Sequence, residues 1–271
     1  MSKLEKQKNT LPFIQLILFL AIIIIVQYKL FMLAFTVLAI FIIYSAITGK
    51  QKRVFLWMLA GYTIGYVIFL FGDRLIELLP FHINILMILS RMLLLIPIII
   101  MMYIAYKFNE KMNFYWTKPN WQAKISFPFI WTGFHSISIK LFLIIAISIN
   151  IISFFPFILQ MSHQLSTFFI LFLLLFSSIN AILEEILWRG IILTRLVDLA
   201  GEKTALLISS FAFGLSHLIL GYSFLTCMLF SIGGIFYAGM TIRSGSIYPA
   251  IIWHFIFNIL MIASGLIPFI N

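Results

Sequence analysis

The feature that most restricts the fold is a series of apolar runs of about 20 residues, separated by short polar stretches. A helix needs about 20 apolar residues to cross a bilayer, and its backbone groups must satisfy one another there. Only 10% of the residues are charged, whereas 63% are hydrophobic, which excludes a soluble globular domain and a disordered chain. The single cysteine, Cys227, excludes a disulfide scaffold. The sequence therefore predicts an all-α fold, a polytopic integral membrane helix bundle.

The positions of the apolar runs predict eight to nine transmembrane helices. The runs cover residues 11–28, 30–48, 54–72, 83–106, 140–160, 166–188, 204–220, 222–242 and 247–269.

A polar stretch divides the chain into three predicted regions. Residues 1–106 form an N-terminal four-helix membrane segment, and residues 107–139 form a basic cytoplasmic linker. Residues 140–271 form a second membrane domain with a core at 165–270 that carries the motifs described below. The later part of the linker, 125–139, is mostly apolar and is compatible with an interfacial helix lying on the membrane.

The net charge of +10 is explained by membrane topology, although on a soluble protein it would suggest a nucleic-acid partner. Basic clusters mark alternate ends of the predicted spans, which is the positive-inside pattern. These clusters are Lys3, Lys6 and Lys8; Lys50, Lys52 and Arg53; and Lys107, Lys111, Lys118 and Lys124. We therefore expect a multi-pass protein of the cell membrane, with a cytoplasmic N-terminus, embedded in the lipid bilayer and without a nucleic-acid partner.

One ionisable residue, Arg91, lies deep within a predicted span of the first 160 residues. A charged side chain at membrane depth is costly unless it is paired or reaches water. For Arg91 we expect a structural role, either an ion pair with Asp73 or Glu77 or snorkelling of the side chain toward a headgroup.

Two adjacent acids and an arginine lie at the end of the run that begins at residue 166. Glu185 and Arg189 are four residues apart, in the order that favours an ion pair on one helix face. Glu184 is rotated by about 100° from Glu185 around the helix axis, so it is outside this ion pair and can accept a proton. A helix end at the headgroups is the structural alternative. We expect the helix to continue past Arg189 to about Leu199; otherwise residues 190–200 fold back into the membrane.

Two histidines follow on later apolar runs. Phe213 and His217 are four residues apart and share a helix face, as do His254 and Asn258. An imidazole and a carboxamide on successive turns can hold a ligand or an oxyanion, whereas their structural use is a hydrogen bond between helices. Small residues four apart among the last helices predict close helix packing.

The three motifs Glu-Glu-x-x-x-Arg (184–189), Phe-x-x-x-His (213–217) and His-x-x-x-Asn (254–258), in this order on apolar helices, resemble one family of intramembrane proteases. This is the CAAX-protease and bacteriocin-processing (CPBP, also called Abi) family. The resemblance covers roughly residues 165–270. The family is similar to the type II CAAX prenyl endopeptidases, which remove a C-terminal tripeptide after prenylation. Its bacterial members are linked with peptide processing and bacteriocin self-immunity.

The resemblance implies an intramembrane endopeptidase of glutamic type that acts on a membrane-associated peptide or a lipidated protein. Glu184 would be the base that activates water, and His254 and Asn258 would stabilise the oxyanion. The implied catalytic residues are Glu184, His217, His254 and Asn258, with Glu185, Arg189 and Phe213 in supporting positions.

Three alternatives remain open at this point. We expect no cofactor, but Glu184, His217 and His254 are the residue types of a three-ligand zinc site, although no His-Glu-x-x-His helix is present. A non-catalytic scaffold, an immunity protein or a regulatory protein could use the same polar pocket. A transporter could instead carry protons or cations through the bundle.

Overall fold

The computed structural model describes residues 3–47, 49–110, 114–161 and 166–270. Lys111, one of the basic residues of the predicted linker, lies outside this part of the chain. The predicted fold class, an all-α polytopic membrane protein, is confirmed. Six helices of the described residues are long and apolar enough to cross a membrane: Lys52–Ile76, Ile83–Lys107, Ile139–Gln160, Thr167–Ala200, Glu202–Leu220 and Phe224–Ser244. Shorter apolar helices are Gln15–Gln27, Phe31–Ala46 and Tyr248–Ala263.

The elements of the described residues follow one another along the chain. They are α1 (Lys3–Gln27), α2 (Phe31–Ala46), α3 (Lys50–Ile76), α4 (Ile83–Met92), α5 (Leu95–Lys107), β1 (Lys124–Pro128), β2 (Gly133–Ser138), α6 (Ile139–Gln160), α7 (Thr167–Glu185), a π-helical segment (Ile186–Ile192), α8 (Leu193–Ala200), α9 (Glu202–Leu215), a 3₁₀ turn (Leu218–Leu220), α10 (Phe224–Ser244) and α11 (Tyr248–Ala263).

The expectation of an interfacial helix at 125–139 is wrong, because β1 and β2 form an antiparallel hairpin there. Lys124 pairs with Ser138, and Phe127 pairs with His135. Two features favour the hairpin: apolar residues alternate with polar ones along β1, and Pro128 and Gly133 interrupt any helix between the strands. The hairpin is held to α10 by Arg243, whose Nε donates to the carbonyl of Lys124 at 2.8 Å.

The span predicted at 83–106 is two helices with a break at residues 93–94. Pro97 has no backbone N–H to donate to the carbonyl of Leu93, so the helical hydrogen bonding is interrupted there. The break places Arg91 in the last turn of α4. Arg91, which the sequence placed deep within one span, therefore lies beside the C-terminus of α4.

The expected ion pair of Arg91 with Asp73 or Glu77 is wrong, because the ion pairs among the described residues do not include Arg91. The guanidinium carbon of Arg91 lies 5.8 Å from the centroid of the Phe176 ring on α7.

The chain continues as one helix past Arg189, which confirms the expected extension. Thr167–Ala200 is continuous over 34 residues and ends at Gly201, whose φ of +80° a side chain would strain. The π-helical segment Ile186–Ile192 interrupts its regular winding directly after Glu184 and Glu185. Insertions of this kind are frequent at functional sites.

The chain divides into two compact units, each described here by itself. The first contains Met1–Ile68, Ile96–Phe114 and Gly190–Ala238. Within it, α9 packs against α8 and α1, and α1 packs against α2. The second contains Phe69–Leu95, Tyr115–Arg189 and Gly239–Asn271. Within it, α7 packs against α4 and α11, and α6 packs against α11 and the hairpin.

Candidate active site

The second unit brings two of the three motifs together because α7 and α11 pack antiparallel. Near the start of α7, Phe169, Phe172 and Phe176 form an apolar core with Ile262 of α11. Near the end of α7, Glu184 and Glu185 lie against His254, which is close to the middle of α11. The apolar contacts hold α7 and α11 together, and the polar residues of the candidate site lie further along the same pair of helices.

Glu185 is the centre of the polar cluster and is fully buried. Its Oε1 accepts a hydrogen bond from Arg189 Nη1 at 3.0 Å, which is the ion pair predicted from the spacing. The same oxygen accepts from His254 Nδ1 at 2.8 Å. A carboxylate at Nδ1 fixes the orientation of the imidazole and places the proton of a neutral ring on that nitrogen.

Glu184 faces the other nitrogen of the same ring. Its Oε2 lies 3.7 Å from His254 Nε2, which is too long for a hydrogen bond. Glu184 is 7% exposed, and among the described residues its Oε2 has no hydrogen-bond partner. Glu185 Oε2 also has no hydrogen-bond partner among the described residues, so the two carboxylates differ in the other respect: Glu185 Oε1 accepts from Arg189 and His254, whereas Glu184 faces the second nitrogen of the ring without a hydrogen bond to it.

Asn258 lies one turn after His254 on α11 and is also buried, at 3% exposure. Within the described chain its Nδ2 donates no hydrogen bond. A buried amide donor without an acceptor is costly and calls for an explanation such as a bound substrate.

Phe213 and His217 belong to the first unit, where Phe213 lies in the last turn of α9 and His217 lies two residues beyond its end. His217 Nδ1 donates to the carbonyl of Phe213 at 2.8 Å, and the ring lies 4.7 Å, centroid to centroid, from that of Phe230. In a neutral imidazole this leaves Nε2 as the acceptor nitrogen. Their spacing predicted a shared helix face; the helix ends between them, but the two rings still lie 4.9 Å apart, centroid to centroid.

Sequence reasoning missed two buried polar residues on α7, Ser177 and Asn180. Asn180 precedes Glu184 by one turn and Ser177 precedes it by two, so all three share a helix face. Among the described residues, Ser177 Oγ and Asn180 Oδ1 have no hydrogen-bond partner. The signal was present in the sequence, as polar residues seven and four positions before Glu184 in an apolar run.

No three His, Cys, Asp or Glu side chains of the described residues come together in a way that could hold a metal ion.

Residues 166–260 match the family model described as type II CAAX prenyl endopeptidase Rce1-like. This segment is therefore similar to that family. It contains all three motifs, from Glu184 to Asn258, so the resemblance to the CAAX-protease and bacteriocin-processing family is confirmed for this segment. The Rce1-like family is a protease family, so the match supports peptidase activity at the level of the family. No curated protein and no solved structure matches the chain.

Proposed function

We propose that this protein is an intramembrane endopeptidase that cleaves a membrane-associated peptide or a lipidated protein by glutamate-activated water. One observation carries the proposal most directly: Glu184 Oε2 faces His254 Nε2, while Glu185 holds the opposite nitrogen of that ring. This is a base next to an oriented imidazole, in a buried setting. The Rce1-like match supports the peptidase class and a prenylated substrate.

The proposed reaction begins when Glu184 removes a proton from a substrate water. The water oxygen bonds to the carbonyl carbon of the scissile peptide, and the carbonyl electron pair moves onto oxygen. Asn258 Nδ2 donates to this oxyanion, and His254, when protonated, donates to it from Nε2. The C–N bond then breaks, and Glu184 returns the proton to the leaving amine, so that a carboxylic acid and an amine are released.

The remaining motif residues orient or assist the catalytic groups. Glu185 and Arg189 orient His254 through the hydrogen bonds described above. His217 is proposed as a second catalytic imidazole on the basis of the resemblance, and Phe213 as the residue whose carbonyl orients it.

Replacement of Glu184 tests the proposal. Glu184→Gln keeps the shape of the side chain but cannot accept the proton, so turnover should fall by roughly 1000-fold or more. The measurements are cleavage of a farnesylated peptide with a CAAX terminus by purified protein in proteoliposomes, and peptidomics of cells that produce either form. Glu202→Gln, an exposed acid in the first turn of α9, is the matched control and should retain full activity.

Cleavage by Glu184→Gln at the wild-type rate would contradict the assigned base. A cellular phenotype retained by Glu184→Gln would indicate a scaffold, and ion-dependent uptake by the proteoliposomes would indicate a transporter. We further propose that hydrolysis needs no metal, so activity should persist after exhaustive metal removal. Loss with a chelator and recovery with added zinc would establish the zinc alternative.

A further inference from the structure

The first unit contains a polar cavity of about 460 Å³ that the proposed mechanism does not use. Its polar lining comes from the ends of three helices: Lys50 at the start of α3, Asn109 and Glu110 just after α5, and Arg195 and Asp198 of α8. The volume lies within the range of small-molecule sites in proteins. Four of the five polar residues are charged, and none belongs to the three motifs.

The four charged residues form a chain of alternating sign along the cavity. Lys50 Nζ lies 3.1 Å from Glu110 Oε1, and Glu110 Oε2 lies 3.3 Å from Arg195 Nη1. The same Nη1 lies 3.3 Å from Asp198 Oδ2. Glu110 and Arg195 are the inner members, and each contacts two charges of opposite sign. The outer members, Lys50 and Asp198, are 67% and 52% exposed, and within the described chain each has one ionic partner.

Both ends of this chain carry the charge that their own helix disfavours. Lys50 is the first residue of α3, where the helix dipole is positive and favours an anion. Asp198 lies in the last turn of the helix that ends at Ala200, where the dipole is negative and favours a cation. The cavity therefore attracts a negative group at Lys50 and a positive group at Asp198.

The cavity also lies where lipid headgroups are found. The helices Lys52–Ile76 and Ile83–Lys107 are long and apolar enough to cross a membrane, and the cavity is at the start of the first and the end of the second. Tyr103 and Tyr106, near the same end of α5, are exposed, and exposed tyrosines are common at the membrane–water interface. A ligand with both charges is therefore available at this level from the bilayer itself.

We propose that this cavity binds a phosphate–ammonium zwitterion, the headgroup of phosphatidylethanolamine. The phosphate contacts Lys50, and the primary ammonium donates hydrogen bonds to Asp198, so the ligand closes the chain of alternating charges into a ring. The methylated ammonium of choline has no N–H to donate and is disfavoured. The amide of Asn109 offers a further donor to the phosphate. This inference does not rest on the proposed function.

The test is a lipid titration of the purified full-length chain in detergent micelles, followed by native mass spectrometry. Phosphatidylethanolamine, phosphatidylcholine and phosphatidylglycerol with identical acyl chains are compared. The wild type should bind the ethanolamine lipid with a Kd about 10- to 100-fold lower than the other two, because these lack the hydrogen bonds to the Asp198 carboxylate. Free phosphoethanolamine in roughly hundredfold excess should not displace the lipid, since the acyl chains hold the headgroup at the micelle surface.

Substitutions at the two ends of the chain locate the site. Asp198→Asn should remove the preference for ethanolamine over choline, and Lys50→Gln should weaken binding of all three lipids about tenfold. Lys50→Arg and Asp198→Glu keep the charges and should recover part of the binding. Both side chains are exposed, so the melting temperature in lipid-free detergent should change little.

The matched control variants are Lys203→Gln and Glu202→Gln, which remove exposed charges of the same signs at the start of α9, outside the cavity lining. Both should bind the three lipids as the wild type does.

Each contrary result overturns a stated part of the proposal. Equal wild-type affinity for the ethanolamine and glycerol lipids would overturn the role of the ammonium. Unchanged affinity in both Lys50→Gln and Asp198→Asn would overturn the assignment to this cavity. Displacement by free phosphoethanolamine would overturn the lipid as the source of the zwitterion. These measurements do not involve peptide cleavage, so their failure leaves the proposed endopeptidase untouched.

Discussion

At the scale of single residues, the shared carboxylate of Glu185 determines the geometry of the site. One fully buried oxygen accepts from both Arg189 and His254. Burial of a charge is costly, so each partner compensates for the desolvation of the others. The ion pair was predictable because Glu185 and Arg189 lie on successive turns of a helix. The contact with His254 was not, because 69 residues separate it from Glu185.

Arg189→Met should destabilise the protein by about 3–5 kcal/mol, because it leaves the buried carboxylate of Glu185 without its cation. The free energy of unfolding in mixed micelles measures this effect. The double variant Glu185→Gln with Arg189→Met should be less destabilised than the sum of the single variants, since it also removes the uncompensated charge. Additive effects would contradict the coupling, and Arg74→Met should change stability little.

At the scale of elements, the contact between α9 and α10 fixes the end of α9, two residues before His217. A side chain at Gly214 would overlap Ser231 Oγ and the carbonyl of Cys227, so the two helices approach closely at this glycine. Gly234 of α10 likewise lies against Ser210 of α9. The predicted close packing of small residues is confirmed at these positions.

Gly214→Ala should destabilise the protein by about 1–3 kcal/mol and reduce activity, because the added methyl group forces α9 and α10 apart. Thermal unfolding and the peptide assay measure the two effects. Gly233→Ala is a matched control on α10, where nothing lies within 4 Å of the added methyl group. It should leave activity unchanged and stability unchanged or slightly higher. Equal effects of both substitutions would show that helix contact is not the cause.

At the scale of the whole molecule, the ion pairs of the first unit agree with an up-and-down path of the chain. Glu110, just after α5, accepts from Lys50 at the start of α3 at 3.1 Å and from Arg195 of α8 at 3.3 Å. Of these segments, the charge pattern assigns those of Lys50 and Glu110 to the cytoplasmic side, and the contact with Glu110 brings Arg195 to the same place. The orientation itself remains a prediction from the distribution of lysine and arginine.

Cysteine labelling tests the orientation. In a Cys227→Ala background, Gln122→Cys in the linker should react with a membrane-impermeant maleimide in inside-out vesicles but not in intact cells. Phe81→Cys, between α3 and α4, should show the opposite pattern. Both positions are exposed, and Cys227 is buried, so its removal serves only to lower background labelling. The reverse labelling pattern would place the N-terminus outside.

The features that depend on local spacing and on solvent could be predicted from the sequence alone. Apolar runs long enough for the bilayer determined the helical membrane fold, and four-residue spacing determined the Glu185–Arg189 pair. Glycine, proline and alternation also carried a local signal for the hairpin, but the apolar composition of 125–139 concealed it.

The contacts between atoms of distant segments could not be predicted, because they depend on how the helices pack. The packing of α7 on α11 placed one imidazole between Glu184 and Glu185, and the packing of α4 on α7 placed Arg91 over Phe176 rather than beside Asp73. Periodicity gives the face of a helix but not its neighbour or its depth against that neighbour. Side-chain packing between helices sets both, and the function proposed here depends on them.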